Sequence, residues 1–192
     1  MSAVLLYAFD TMADWEYAYV TTVLQMHARG GDERYRLLVA SADGAPVTTL
    51  GGLRVLPEAT LDDVSADDIA LLLLPGGNTW LDGDHDAVLA LARRLLDAGT
   101  PVAGICGATR AMARAGLLDH RAHVVDADSD EPDYPGRQFR VHASVAHDGA
   151  VVTAIGAAPL EFSREVFKVL ALDDAAGIDA WYAAFKGVPD AR

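Results

Sequence analysis

Cysteine is nearly absent from this sequence, which contains one, Cys106, among 192 residues. A single cysteine cannot form an internal disulfide, so a disulfide-stapled scaffold is excluded. Basic residues are also scarce, because 15 Lys and Arg stand against 28 Asp and Glu and give a net charge of -13. This charge repels phosphate backbones and anionic lipids, so we expect neither nucleic acid nor a membrane as a partner.

The first residues lack the basic segment of a secretory signal and reach Asp10 before an apolar run could span a bilayer. We therefore expect a cytoplasmic protein. The Asp-rich stretches 62–63, 67–68 and 126–133 lack the ligand spacing of metal sites and are expected to be solvated loops. Neither a metal nor an organic cofactor is expected.

Short apolar runs alternate along the chain with segments of helical periodicity. The length and the lack of repeats or linkers predict one domain over residues 1–192. The alternation predicts an α/β fold, a doubly wound, flavodoxin-like, mostly parallel sheet sandwiched by helices. The expected strands are 3–9, 34–40, 69–74, 101–105 and 122–125, with hairpins in 47–56 and 139–155. The expected helices are 14–28, 84–98 and 106–116, one from Pro159, and 178–186.

Three features follow predicted strands, at the sheet edge where such folds bind ligands. They are Glu16, the turn Pro75-Gly76-Gly77-Asn78, and the segment Gly104-Ile105-Cys106-Gly107-Ala108. The last has the form of a nucleophile elbow, in which small neighbours let a sharp strand-to-helix turn lift the central side chain above the sheet. A thiol at a helix N-terminus is expected to have a lowered pKa. The alternative is that Cys106 is a small buried hydrophobe.

Two other parts of this predicted edge have a functional and a structural interpretation. The amides of Gly76, Gly77 and Gly107 are candidates for an oxyanion hole, whereas Pro75-Gly76-Gly77 is equally explained as a tight turn after a buried strand. Glu16 is a candidate acid, whereas a carboxylate in the first turn of a helix is ordinarily explained by the helix dipole.

The order and spacing of these motifs resemble the DJ-1/PfpI family over nearly the whole chain. The likeness rests on Asp14-Trp15-Glu16, the Pro75 turn, the Cys106 elbow and Gly116-Leu117-Leu118. Asp148 to Thr153 and Gly156 to Phe162 also look like the last strand and helix of this family. The elbow version is most similar to bacterial members described as intracellular protease/amidase or glutamine amidotransferase-like proteins.

The resemblance implies a role for several residues. Cys106 matches the reactive cysteine and Glu16 its acidic partner, which we expect to have a raised pKa and to hold the proton beside a thiolate. Many members have a His where this chain has Asp126, so Asp126 is expected to complete the catalytic set. His123, three residues earlier on a predicted strand, would face the other way. The resemblance also implies a homodimer.

A pocket for a small-molecule substrate is expected beside these groups, lined by Trp15, Asn78, Trp80 and Thr109. Core packing is the alternative role for at least one of the tryptophans.

The leading hypothesis is a cysteine-dependent enzyme acting on a small amide, aldehyde or isonitrile-like compound. A non-catalytic oxidative-stress sensor thiol and a glutamine amidotransferase-like protein are the alternatives.

Overall fold

The computed structural model describes residues 1–126 and 134–187, and most of the predicted acidic loop therefore lies outside the described residues. The longer strands are β1 (Ser2–Tyr7), β2 (Tyr35–Ser41), β6 (Ile69–Leu74), β7 (Val102–Ile105), β8 (Val145–Asp148) and β9 (Val151–Ala154). The two-residue strands are β3 (Val47–Thr48), β4 (Arg54–Val55) and β5 (Ala59–Thr60). The α-helices are α1 (Asp14–Arg29), α2 (Asp86–Asp97), α3 (Gly107–Arg114), α4 (Pro159–Val169) and α5 (Ala175–Lys186).

Seven strands form one sheet in the order β5-β2-β1-β6-β7-β9-β8. All neighbours are parallel except β8 and β9, which form an antiparallel hairpin at one edge. The predicted doubly wound, mostly parallel α/β fold is confirmed. Strands β3 and β4 pair separately, as predicted for residues 47–56.

The central strands are buried on both faces, which explains their unbroken apolar sequences. Side chains alternate along β1, so Leu5 packs into one hydrophobic cluster and Leu6 into the other. The first cluster also contains residues of α2 and α3, and the second contains residues of α1, α4 and α5. These two layers of helices fix the carboxyl ends of β1, β6 and β7 at one edge of the sheet.

The predicted strand over residues 122–125 is wrong. Only an isolated bridge between His123 and Arg140 occurs there, because β9 occupies the position beside β7. The backbone N–H of Val124 instead donates to the buried Thr153 hydroxyl of β9, at 2.8 Å. One side chain thus takes the place of a strand ladder and holds the segment that leads to Asp126.

Several element bounds also differ from the expectation. The last hairpin begins at Val145 and not at residue 139, and residues Pro135–Phe139 form a 3₁₀ helix. Helix α5 begins at Ala175 rather than at residue 178, because the Asp174 carboxylate accepts a bond from the Gly177 N–H. The sequence pattern does not predict β5 or the short 3₁₀ helices Leu61–Asp63, Ala66–Asp68 and Asn78–Trp80.

Within residues 1–126 and 134–187, no helix combines the length and the apolar character needed to cross a bilayer.

Replacement of Thr153 by Val should destabilise the protein by about 1–3 kcal/mol, because it leaves the Val124 N–H buried without an acceptor. Urea unfolding measures the loss. Thr153→Ser is the matched control, because it keeps the hydroxyl and removes only a methyl group. If the Val and Ser variants unfolded at the same urea concentration, this hydrogen bond would not hold the segment.

Candidate active site

Cys106 lies between β7 and α3 in a backbone conformation that favours glycine, with φ 58° and ψ -129°. Such a conformation costs on the order of 1–3 kcal/mol for a residue with a side chain. It is held by the Cys106 N–H, which donates to Ala154 O, and by the Thr109 N–H, which donates to Cys106 O. The thiol is only partly buried. The chain therefore makes the predicted elbow.

Two glycines let the backbone pass directly beside this cysteine. A Cβ on Gly76 would lie 2.5 Å from Cys106 Cβ, and one on Gly156 would lie 2.9 Å from Cys106 Sγ. Both contacts are too short for any larger residue. Gly156 was not predicted as a site residue, although it stands in the closing motif that resembles the family.

Glu16, in the first turn of α1, is completely buried against this cysteine. Its Oε2 accepts a 2.5 Å bond from the Gly76 N–H, whereas Oε1 is buried and has no hydrogen bond of ordinary geometry. Burial raises the pKa of Glu16 to about 7 and the charge of Asp126 adds to the rise, while the Gly76 N–H and the Cys106 thiol oppose it. The raised pKa agrees with the expectation for this carboxyl.

The pKa of the Cys106 thiol is raised and not lowered. Burial is the largest cause, the negative charges of Glu16 and Asp126 add to it, and the Gly107 N–H at the start of α3 opposes it. The expected acidic thiol is therefore wrong, because one helix N-terminus does not outweigh burial and two carboxylates. Glu16, with a pKa of about 7, is the group positioned to accept the thiol proton.

Asp126 also lies near the sulfur. Its Oδ2 accepts a long 3.4 Å bond from the Gly156 N–H, and its carboxylate also interacts with the thiol. The Asp126 N–H donates to the Thr109 hydroxyl at 3.0 Å. His123 is buried elsewhere, with Nε2 2.7 Å from the Tyr134 hydroxyl and Nδ1 2.7 Å from Arg121 O. Two carboxyl groups thus interact with the sulfur.

The three candidate oxyanion-hole glycines are not equivalent. The Gly76 N–H is occupied by Glu16, so it does not serve as a free oxyanion donor. Gly77 packs tightly, since a Cβ there would lie 2.5 Å from Phe9 Cε2. The Gly107 N–H faces the sulfur and remains the donor best placed for charge that develops beside it.

The four candidate pocket residues separate into two groups. Trp15 and Asn78 are exposed, and the Trp15 indole N–H donates to Gly156 O at 3.1 Å, which places Trp15 beside the site. Trp80 and Thr109 are buried, and Trp80 lines a cavity between α2 and α3 whose lining does not include Cys106. The Trp80 N–H donates to Pro75 O, and its ring packs on Tyr7, Phe9 and His85. Trp80 therefore supports the glycine turn from inside.

In the part of the chain that the structure describes, no three His, Cys, Asp or Glu side chains converge as metal ligands.

Fold and site together define a class of protein: an α/β sandwich with one cysteine on a strained strand-to-helix turn beside a buried glutamic acid. The sequence model of the DJ-1/PfpI family matches residues 2–169. The chain belongs to the DJ-1/PfpI family, as its motifs indicated.

Known proteins similar to this chain agree with this assignment. The uncharacterized protease YoaZ of Bacillus subtilis is 36% identical over 186 residues, covering 93% of this chain and 88% of that protein. The deglycase TK1284 of Thermococcus kodakarensis is 29% identical over 170 residues, covering 87% of this chain and 98% of that protein. A thiJ/pfpI family protein from Bacillus anthracis has a crystal structure with a TM-score of 0.86 and 36% identity, covering 97% of this chain and 92% of that chain.

Replacement of Glu16 by Gln should stabilise the protein at alkaline pH. The folded state binds the Glu16 proton more tightly than the unfolded state, so this carboxyl lowers stability as the pH rises from its usual pKa of 4.5 to about 7. Because a tenfold change in proton affinity is worth about 1.4 kcal/mol, Glu16→Gln should gain up to about 3 kcal/mol at about pH 8. At about pH 4.5 the gain should be small.

Urea unfolding of both proteins at the two pH values measures this difference. The exposed Glu33→Gln change is the matched control and should show no such pH dependence. An equal effect of Glu16→Gln at both pH values would contradict a buried carboxyl with a raised pKa.

Proposed function

We propose that this protein is a cysteine-dependent enzyme acting on a small electrophilic compound, with Cys106 as the nucleophile and Glu16 as its acid/base partner. One observation carries the proposal: the fully buried carboxyl of Glu16, with a pKa of about 7, packs against the Cys106 thiol at the strand-to-helix turn. A group with a pKa near the working pH is matched to accept and return a proton.

The first chemical step needs only the groups beside the sulfur. Glu16 accepts the thiol proton while Sγ forms a bond to an electrophilic carbon. For a carbonyl substrate, the π electrons of the C=O bond move to oxygen, next to the Gly107 N–H. Glu16 then returns its proton to that oxygen, which gives a neutral adduct on Cys106 with no change of oxidation state.

An aldehyde suits this site best, because its addition step needs no leaving group. An amide requires an acid that protonates the departing amine, and Asp126 occupies the position where many family members have a histidine. Amides and isonitriles remain within the proposed substrate class, since both offer an electrophilic carbon. The names of the relatives, a protease and a deglycase, support an enzyme of this kind.

Turnover should depend on both Cys106 and Glu16. We expect parent protein to consume at least one small aldehyde, amide or isonitrile, and Cys106→Ala and Glu16→Gln to lose at least about 100-fold in kcat/KM. Alkylation of Cys106 by iodoacetamide should instead become faster in Glu16→Gln, because removal of the carboxylate charge lowers the thiol pKa.

Substrate consumption and labelling are followed in parallel by chromatography and intact mass. The single cysteine makes the labelled mass specific to Cys106. If Cys106→Ala consumed all three substrate classes as fast as the parent, the proposed nucleophile would be wrong.

The oxidation-sensor alternative makes a separate prediction. The thiolate, not the thiol, reacts with peroxide, so a raised thiol pKa predicts slow oxidation. We expect Cys106 to gain oxygen no faster than a free cysteine at about pH 7, as measured by intact mass after peroxide treatment. Rapid, stoichiometric addition of two oxygens without turnover of any electrophile would favour the sensor.

Four further expectations belong to this proposal: one domain over residues 1–192, a small-molecule substrate, a homodimer and a cytoplasmic location. They follow from the length, the composition and the family resemblance, and they remain predictions.

A further inference from the structure

Three polar side chains form a chain of hydrogen bonds that begins in the core and ends directly after the glycine turn. The Tyr7 hydroxyl lies 3.0 Å from His85 Nδ1, and His85 Nε2 lies 3.2 Å from the Thr79 hydroxyl. The Thr79 hydroxyl donates in turn to Asp10 O, at 3.4 Å. Tyr7 and His85 are both buried, and buried polar groups are costly unless each has a partner. The pairing of this chain therefore constrains its protons.

The donors and acceptors of the chain balance when His85 is neutral with its proton on Nε2. The Tyr7 hydroxyl then donates to Nδ1, Nε2–H donates to Thr79, and the single hydroxyl proton of Thr79 goes to Asp10 O. With the proton on Nδ1 instead, the Tyr7 hydroxyl would have no acceptor among the described residues. Burial lowers the pKa of His85 and outweighs the Thr79 backbone and Asp84, which raise it, so the ring is neutral at neutral pH.

The far end of this chain joins the glycine turn to the segment that leads into α1. Three bonds connect the two segments: the Thr79 hydroxyl donates to Asp10 O, the Asn78 N–H donates to Thr11 Oγ1, and the Ala13 N–H donates to Gly76 O. The N–H of Gly76 also donates to Glu16 Oε2. A displacement of Thr79 would therefore loosen the turn at the glycine that holds Glu16.

The ring of His85 also supports the site through Trp80. The two rings are buried with their centroids 4.4 Å apart. The Trp80 indole N–H donates to Pro75 O at 2.8 Å, and a Cβ on Gly107 would lie 3.3 Å from Trp80 Cδ1. His85 thus packs on a residue that contacts both the glycine turn and the start of α3.

We propose that His85 is a positioning residue of the active site: with its proton on Nε2, it holds Thr79 and so keeps the Gly76 N–H on Glu16. Tyr7 selects this tautomer by donating to Nδ1. His85 acts through Thr79 and takes no part in proton transfer. The expected effect on turnover rests on the proposed function, because it concerns the acid/base partner of the same nucleophile, whereas the tautomer and the geometry of the turn do not.

Nitrogen NMR of protein with isotope-labelled histidines tests the tautomer. At neutral pH, Nδ1 of His85 should have the shift of an unprotonated ring nitrogen and Nε2 that of an N–H nitrogen. The variant His85→Gln identifies these signals among the six histidines of the chain. A proton on Nδ1 of His85 in the parent protein would show that the proposal is wrong.

Two variants separate the hydrogen bond to Thr79 from the packing of the ring. His85→Phe keeps an aromatic ring and removes the donor, whereas His85→Gln keeps an N–H donor at about the position of Nε2. Both are made together with Tyr7→Phe, so that no buried hydroxyl loses its partner. The amide of Val152, on the buried strand β9, serves as the reference for global stability.

Hydrogen exchange at the Gly76 amide reports whether the turn still holds Glu16. Relative to exchange at Val152, exchange at Gly76 should become at least about tenfold faster than in the parent when residue 85 is Phe. It should stay within about threefold of the parent when residue 85 is Gln. A merely structural role of His85 would speed exchange at Gly76 and Val152 alike. An unchanged ratio in the Phe variant, or an equal increase in both variants, overturns the proposal.

Turnover by the same variants shows whether this positioning matters for the chemistry. On a substrate that the parent consumes, kcat/KM should fall at least about tenfold in the Phe variant, and the Gln variant should recover most of that loss. Equal turnover by the Phe variant and the parent would contradict a positioning role. If the parent consumes no substrate, the proposed function is wrong, and the tautomer and the exchange ratio still decide whether His85 holds the turn.

Discussion

The contact between a buried carboxyl and a thiol is the constraint on which the rest of the site depends. Glu16 is removed from water and held by one amide N–H, so its pKa rises into the range where it can exchange a proton with Cys106. The contact exists only because Gly76 and Gly156 bring bare backbone against the sulfur. Side chains at either glycine would force the acid and the cysteine apart.

The fold supplies this contact from three neighbouring strands of a parallel sheet. Strands β1, β6 and β7 end at one edge, and the segments that follow them deliver the acid, the glycine turn and the elbow. The Trp80 indole N–H donates to Pro75 O in the glycine turn, and its ring packs on Phe9. Thr153 and Thr109 hold the segment that leads to Asp126. Buried side chains thus fix the positions of the reacting groups.

Much of this organisation can be predicted from the sequence, because apolar runs of strand length and helical periodicity report burial directly. Cys106 and Glu16 were identified by the glycines around the elbow and by family resemblance. The expectation that Glu16 holds the proton beside a thiolate is favoured by the raised pKa of Glu16 and opposed by the burial of Cys106, which no sequence pattern reports. The strand expected before Asp126 was also wrong, because one hydroxyl of Thr153 replaces a ladder of backbone bonds, which no local pattern reveals.

The central claim is that burial and the neighbouring carboxylates raise the pKa of the Cys106 thiol, so that it keeps its proton at neutral pH. Infrared spectroscopy of the S–H stretch tests it most directly, because the single cysteine is the only source of that band. The account predicts that the band persists above about pH 8.5, the pKa of an ordinary cysteine, and that it disappears at lower pH in Glu16→Gln. Loss of the S–H band below neutral pH in the parent protein, with Glu16 still protonated, would contradict it.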